Sequence, residues 1–296
     1  MMKDHCGFAR YDRARCSERD CAYGSPSRVG YQPMFVNIMR ICTLMIIGVQ
    51  PALADEDVEL AKKSQNPVGD IISVPFEYNV NFRVGPEDAE VHVLNLKPVY
   101  PVHLGQYALI NRFILPLAHQ GERIDGEGSQ SGLGNTTYQA FFTPAEAGAV
   151  IWGLGPAVIM PTNTDNRLGP DKWSGGPAFV VLAKPGHWLF GTLVQQFWSF
   201  AGDNDDNNVN LSSLQYFVNY NFDDGWYVAS NPTMTADWDA DSSDRYTVPV
   251  GGGVGKLVRF GDQPVDFKLQ GFWNAEKPDG AADWSVQFQI KLLFPK

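Results

Sequence analysis

Long runs of strict alternation fill residues 70–296, and they constrain the fold more than any motif does. In IISVPFEYNVNFRV (71–84), Ile72, Val74, Phe76, Tyr78, Val80, Phe82 and Val84 share one parity. Ser73, Pro75, Glu77, Asn79, Asn81 and Arg83 share the other. A period of two marks a strand with one apolar and one polar face. The chain closes in the same way: in DWSVQFQIKLLFPK (283–296), Trp284, Val286, Phe288, Ile290, Leu292 and Phe294 oppose Ser285, Gln287, Gln289 and Lys291. SLQYFVNYNF (213–222) and VDFKLQGFWN (265–274) repeat the pattern, and GNTTYQAFF, AVIWGLGPAVIMP, HWLFGTLVQQFWSF and WYVASNPTMTADW follow it less strictly. Such strands suit either a soluble sheet over a core or a barrel with its apolar face toward lipid and its polar face toward a lumen.

Connections and strand lengths favour the barrel. The alternation predicts twelve strands, at 70–84, 90–102, 105–118, 134–143, 149–161, 174–184, 187–201, 209–222, 226–238, 246–260, 264–274 and 283–294. Most reach the roughly 9–11 residues that a tilted membrane strand needs, beyond the roughly 5–6 typical of soluble strands. PAEAG, KPGH, DDG and FGDQP are tight, whereas HQGERIDGEGSQSGL, TNTDNRLGPDK, GDNDDNN, DADSSDR and AEKPDGA are longer and polar. This sorting puts tight turns on the periplasmic side and long loops outside, with both ends of the barrel in the periplasm. Trp188, Trp198, Trp226, Trp238, Trp273, Trp284 and Phe294 sit near strand ends, where interface girdles lie. The expectation is all-β, a transmembrane antiparallel barrel over 70–296, with a soluble periplasmic sandwich as the remote alternative. No helix is expected after the leader.

Residues 1–54 carry the signs of export. MFVNIMRICTLMIIGVQPALADE has a basic flank at Arg40, a short apolar core from Ile41 to Val49 and a small-x-small site at Ala52-Leu53-Ala54. This is a secretory signal over 34–54, cleaved after Ala54. Residues 1–33 precede a complete signal and are expected to be a mis-called extension or disordered. Residues 55–69 read as a flexible periplasmic lead. All four cysteines (Cys6, Cys16, Cys21, Cys42) lie upstream of the cut, which removes disulfides, thiolate metal sites and cysteine nucleophiles from the mature chain. The whole chain carries 23 basic and 33 acidic residues; without the seven basic and four acidic residues of 1–54 the balance is 16 against 29, net −13. An acidic chain is not a nucleic-acid binder.

With these segments in view, the chain resembles the bacterial outer-membrane proteins associated with the phenol meta-pathway and labelled transporters. The resemblance is carried by AKKSQNPVGDIISVPFEYNVNF, LNLKPVYPV, INRFILPL, GLGNTTYQAFFTP, WGLGPAVIMPT, KWSGGPAFVVL, FWSFAGD, YTVPVGGGVGKLVRFGDQPVDFKL and PDGAADWSVQFQIKLLFPK. It implies an outer-membrane barrel of Gram-negative bacteria that passes small, hydrophobic or aromatic solutes, without a cofactor. A non-transporting structural or surface-interaction barrel is the other reading.

The polar parity names the pore-lining candidates: Glu77 and Arg83, Lys97, Arg112, Gln195, Arg259, Asp266 and Lys268, and Lys291. Charges of both signs in a narrow lumen either brace it or line a selective path. Arg112 and Lys97 are the favoured solute contacts, although the parity around INRFI is ambiguous. His92 falls on the apolar parity, no serine stands in a nucleophile context, and no metal cluster or phosphate loop is present, so no catalytic or metal residue is assigned. GGGVG (251–255) reads as a bend or close strand packing. Asp203, Asp205 and Asp206 form an acidic loop, read as solvated, with divalent bridging to lipopolysaccharide as the alternative. The remaining partners expected are outer-membrane lipid and lipopolysaccharide, a small-molecule solute, and the assembly machinery, through the C-terminal strand.

Overall fold

A computed structural model describes residues 54–146, 148–203 and 208–295 of the chain. The expected extension, most of the signal segment and the carboxylates Asp205 and Asp206 lie outside the described residues. From residue 72 onward the chain forms twelve antiparallel strands. They are β1 Ile72–Val84; β2 in two pieces, Ala89–Leu96 and Val99–Leu104; β3 Tyr107–Gln120; β4 in two pieces, Gln130–Leu133 and Thr136–Pro144; β5 Val150–Met160; and β6 Lys172–Ala183. They continue with β7 Trp188–Gly202; β8 Asn210–Asn221; β9 in two pieces, Trp226–Ser230 and Thr233–Asp237; β10 Tyr246–Phe260; β11 Gln263–Glu276; and β12 Trp284–Phe294.

Each strand pairs with its sequence neighbours, and β12 pairs with β1 from Ile72↔Phe294 to Phe82↔Trp284. The sheet therefore closes on itself and leaves no edge, the condition for a sheet to exist in lipid. The burial pattern is that of a membrane barrel. Phe76, Tyr78, Trp152, Phe179, Phe190, Leu214, Val254, Leu269 and Phe288 are all exposed on the outer face. Their register neighbours Glu77, Gln195, Asn219, Asp266, Gln270 and Gln289 are buried inside. All seven girdle aromatics named from the sequence are exposed, Trp273 at 60% and the others between 40% and 49%.

Three departures from simple alternation have physical causes. A bulge interrupts the β1–β2 ladder between Asn81 and Val84. Within it Arg83 adopts φ 60, a conformation rare for a residue with a Cβ. The bulge turns Arg83 to the outer rim, where it is solvent-exposed and bonds to Asp283 at 3.3 Å. The expected lumenal place of Arg83 is therefore corrected. β2 breaks at Lys97–Pro98 and β9 at Asn231–Pro232, since proline has no N–H to give the ladder. The link between β1 and β2 is also short, Gly85–Asp88, so the sorting of tight turns to one side has an exception.

The expected flexible lead is a helix, α1, Ala54–Gln65. Its first turn carries the acidic Glu56 and Asp57, its last turn carries Lys62 and Lys63, and it contains no glycine or proline. That order complements the helix dipole, and the chain leaves the helix just before Pro67. Propensity alone does not hold twelve residues helical in water. α1 is held by packing: Leu60 and Ala61 form a buried cluster with Ile71, Leu257 of β10 and Leu293 of β12.

The second cluster of buried apolar residues lies on the inward faces of β3 to β8. It comprises Ile110, Phe141, Ile151, Val180, Leu182, Leu189, Leu193, Phe197 and Phe217 with small residues between them, and Val68 joins it from the segment after α1. Both faces of β5 to β7 are thus apolar, which explains the weak alternation of their sequences. Close packing inside also fixes Gly255: a Cβ there would meet the Tyr227 ring at 2.1 Å. Gly253 likewise sits where a Cβ would meet the Leu269 carbonyl oxygen at 1.9 Å, so GGGVG is a site of close strand packing. Gly255→Val is expected to cost about 1–3 kcal/mol, the range for overpacking, read as a lower urea midpoint of the unboiled barrel band.

At the outer rim Asp283 accepts from Lys277 at 3.0 Å and from Arg83. These hydrogen bonds, that of Lys277 foremost, hold its carboxyl below its ordinary range. A depressed folded pKa contributes stability above the unfolded value and loses it as pH falls through the folded one. A spin label at Ala281→Cys is expected to keep constant mobility from pH 8 to 5 and to loosen below about pH 4, near the unfolded aspartate value.

Candidate functional site

The interior is divided. One side is the apolar face of β3 to β8; the other is a polar face contributed by β1, β2 and β8 to β12, joined by Arg112 of β3. Between them sits the end of α1, and its last residues bond to the polar face. Ser64 Oγ donates to Asp266 Oδ2 at 3.0 Å, and Lys291 Nζ donates to the Ser64 carbonyl at 2.7 Å. Gln65 Nε2 donates to Asn221 Oδ1 at 2.7 Å, while its own oxygen accepts from Asn219 Nδ2 at 3.1 Å and Asn221 Nδ2 at 3.3 Å. At the periplasmic mouth Arg259 Nε donates to Asp57 Oδ1 at 2.6 Å, and its Nη2 lies 3.7 Å from Glu56.

Beyond the helix end, the side chains of Glu77, Lys97, Arg112, Asp266, Lys268 and Lys291 line one central cavity of about 100 Å³. Lys97 bonds Glu77 Oε1, and Gln289 donates to Glu77 Oε2 at 3.3 Å. Asp266 Oδ1 accepts from the Tyr227 hydroxyl at 2.7 Å, with both groups fully buried. Buried charges need such partners, because burial strips them of water. A larger cavity of about 760 Å³ lies toward the long loops, lined by Val91, Val93, Pro116, Ile159, Arg167 and Lys172 among others. A third, of about 600 Å³, lies at the periplasmic mouth beside Glu59, Lys63, Pro144 and Arg259.

The structure brings together Glu77, Lys97, Arg112, Asp266, Lys268 and Lys291 out of the sequence candidates. It settles the parity at INRFI, with Arg112 inside and Phe113 exposed outside. Gln195 lies inside but against the apolar half, bonded to Gln139 at 2.6 Å and Ser213 at 3.4 Å. Arg259 anchors the helix, and Arg83 lies at the rim. The sequence reading missed Ser64, Gln65 and Tyr227. Ser64 and Gln65 sit in a segment with little hydrophobicity to betray burial. Tyr227 sits on the inward parity of β9, opposite the exposed Val228, yet an aromatic side chain there gives no signal of a lumenal hydrogen bond.

On the outer wall the Tyr78 hydroxyl lies 2.7 Å from His92 Nδ1, and His119 Nδ1 lies 2.7 Å from Ser131 Oγ. This places a serine beside a histidine where no sequence motif pointed to one. Among the described residues no carboxylate bonds the His119 ring to complete a relay, and no cluster of three or more metal-ligating side chains occurs.

A closed, lipid-facing barrel with a largely filled interior defines a membrane protein of the outer-membrane type. The chain belongs to the family described as "Putative MetA-pathway of phenol degradation", whose model matches residues 78–290. It is similar in fold to an outer-membrane channel of Pseudomonas putida F1, with 18% identity, TM-score 0.60, and coverage of 76% of this chain and 94% of that one. More distant likenesses include a FadL homologue of Pseudomonas aeruginosa, at 7% identity, TM-score 0.42, and coverage of 84% and 95%. Another is the monoaromatic hydrocarbon channel CymD, at 8% identity, TM-score 0.43, and coverage of 84% and 94%. No curated protein matches the chain.

Replacing Ser64 with alanine leaves a buried carboxylate short of a donor. Ser64→Ala is expected to weaken helix docking by about 1.5–3 kcal/mol, the worth of a hydrogen bond to a charged group. The readout is faster proteolysis within residues 54–70 while the barrel itself stays heat-modifiable.

Proposed function

We propose that this protein is an outer-membrane channel that passively admits small hydrophobic or aromatic solutes. The observation that carries the reading is the graded interior: an outer cavity of about 760 Å³ above a central one of about 100 Å³. The first lies within the roughly 300–1,000 Å³ of small-ligand sites; the second excludes anything large or fully hydrated. The apolar inner face of β3 to β8 suits an apolar solute, and the family's association with phenol degradation supports an aromatic one.

Straight passage to the periplasm is obstructed by α1. The wall offers another way out. The ladder between β9 and β10 is paired at Ala229↔Gly253 and again at Thr235↔Thr247, with a gap between. Asn231, in that gap, lines the central cavity. A solute that reaches this point leaves through the wall, where the ladder is interrupted and the Ser230 hydroxyl, donating to the Gly251 carbonyl at 2.6 Å, bridges the two strands.

No catalytic role is assigned. The His119–Ser131 pair faces outward, away from all three interior cavities, and is read as a cross-strand contact that braces β3 against β4.

The test is toluene uptake by vesicles whose outer leaflet is lipopolysaccharide, which retards free entry of apolar molecules. The wild-type barrel is expected to speed uptake above protein-free vesicles. Asn231→Trp, which fills the central cavity, is expected to cut that gain about tenfold, equivalent to a barrier raised by about 1.4 kcal/mol. Wild-type uptake no faster than background would leave a structural, non-transporting barrel.

A further inference from the structure

The central cavity is unbalanced in charge. Four cationic side chains line it, Lys97, Arg112, Lys268 and Lys291, against two carboxylates, Glu77 and Asp266. Both carboxylates are already engaged. Glu77 is held by Lys97, Asn79 and Gln289. Asp266 is held by Ser64 and Tyr227. Lys291 bonds a neutral acceptor, the Ser64 carbonyl. Arg112 Nη1 is buried and has no hydrogen-bond partner among the described residues. Lys268 makes no hydrogen bond or contact ion pair among the described residues and meets Glu77 and Asp266 only through longer-range attraction. Excess buried charge of one sign is costly, and rings of Arg and Lys are how anion-selective pores are built.

The cavity also has an apolar side. Phe217, buried in the apolar cluster, lines it opposite the cations. Its volume of about 100 Å³ equals roughly three water molecules at their liquid share of about 30 Å³ each, room for a carboxylate head. Arginine's planar fork matches a carboxylate with two parallel hydrogen bonds.

We propose that the central cavity is a binding site for a small organic monocarboxylate. Arg112 and Lys268 receive its charged head, and the Phe217 side receives its apolar body. The inference rests on the channel reading and narrows its solute from apolar molecules in general to amphiphilic acids.

Calorimetry on the detergent-purified barrel tests it, with benzoate at pH 8 and benzyl alcohol as the neutral probe of similar shape. Benzoate is expected to bind at least about tenfold tighter than benzyl alcohol, and Arg112→Gln and Lys268→Gln each to weaken benzoate about tenfold or more, the loss of one charge-assisted contact. Lys268→Gln removes an unpaired buried charge, so the folded, heat-modifiable band is expected to persist. Equal binding of the two probes by the wild-type barrel would overturn the site, whatever the variants do. Benzoate binding unchanged in both folded variants would also overturn it. Wild-type toluene uptake at background level is a separate failure: it would sink the channel reading, and with it the carboxylate as cargo.

Discussion

The fold depends on one arrangement: the barrel closes around its own N-terminal helix. A twelve-stranded barrel has an interior too wide for its side chains to fill unaided, yet too narrow to be an open pore without consequence. Here Ser64 and Gln65 supply the missing hydrogen-bond partners for Asp266, Lys291, Asn219 and Asn221, which face inward from three different strands. Leu60 and Ala61 cover Leu257 and Leu293. Without the helix these polar groups would face each other across a gap. With it, strands that are far apart in the ring are tied to a common post.

That arrangement explains why the interior is divided. The helix end and the residues after it satisfy the polar wall, and Val68 on the same segment packs into the apolar wall. In the central cavity the charged side chains gather on one side, and Phe217 keeps the opposite side apolar. The weak place in the wall, at Asn231–Pro232, falls beside that cavity. A backbone gap is tolerable at membrane depth where it borders a cavity within the protein.

Much of this was legible in the sequence because lipid imposes its pattern on every strand. The alternation in IISVPFEYNVNFRV and DWSVQFQIKLLFPK records an apolar solvent outside and a polar lining within, and these two strands do pair. The twelve expected strands correspond to the twelve observed. Legibility fails where a local rule is overridden. Arg83 has the parity of a lumenal residue, but a bulge rotates it out. β5 to β7 alternate poorly because their inner faces are packed with apolar side chains. α1 was invisible since its composition, ADEDVELAKKSQ, is that of a solvated segment, and only the barrel's interior, through Leu257, Leu293 and its inward polar groups, gives it a reason to dock. Five of the six charges of the central cavity could be named from parity, with Arg112 ambiguous, and which of the six are engaged emerges only from their geometry.

The most direct test of the account is whether α1 occupies the lumen of the assembled barrel. Residues 55–296 contain no cysteine, so Gln65→Cys with Asn219→Cys gives a clean pair, and a short bifunctional thiol reagent can be applied to the protein in native membranes. The account predicts an intramolecular cross-link in the heat-modifiable, folded band and none after unfolding in denaturant. Two freely and separately alkylated cysteines in the folded barrel would mean that the helix lies outside the lumen, and the divided interior described above would not exist.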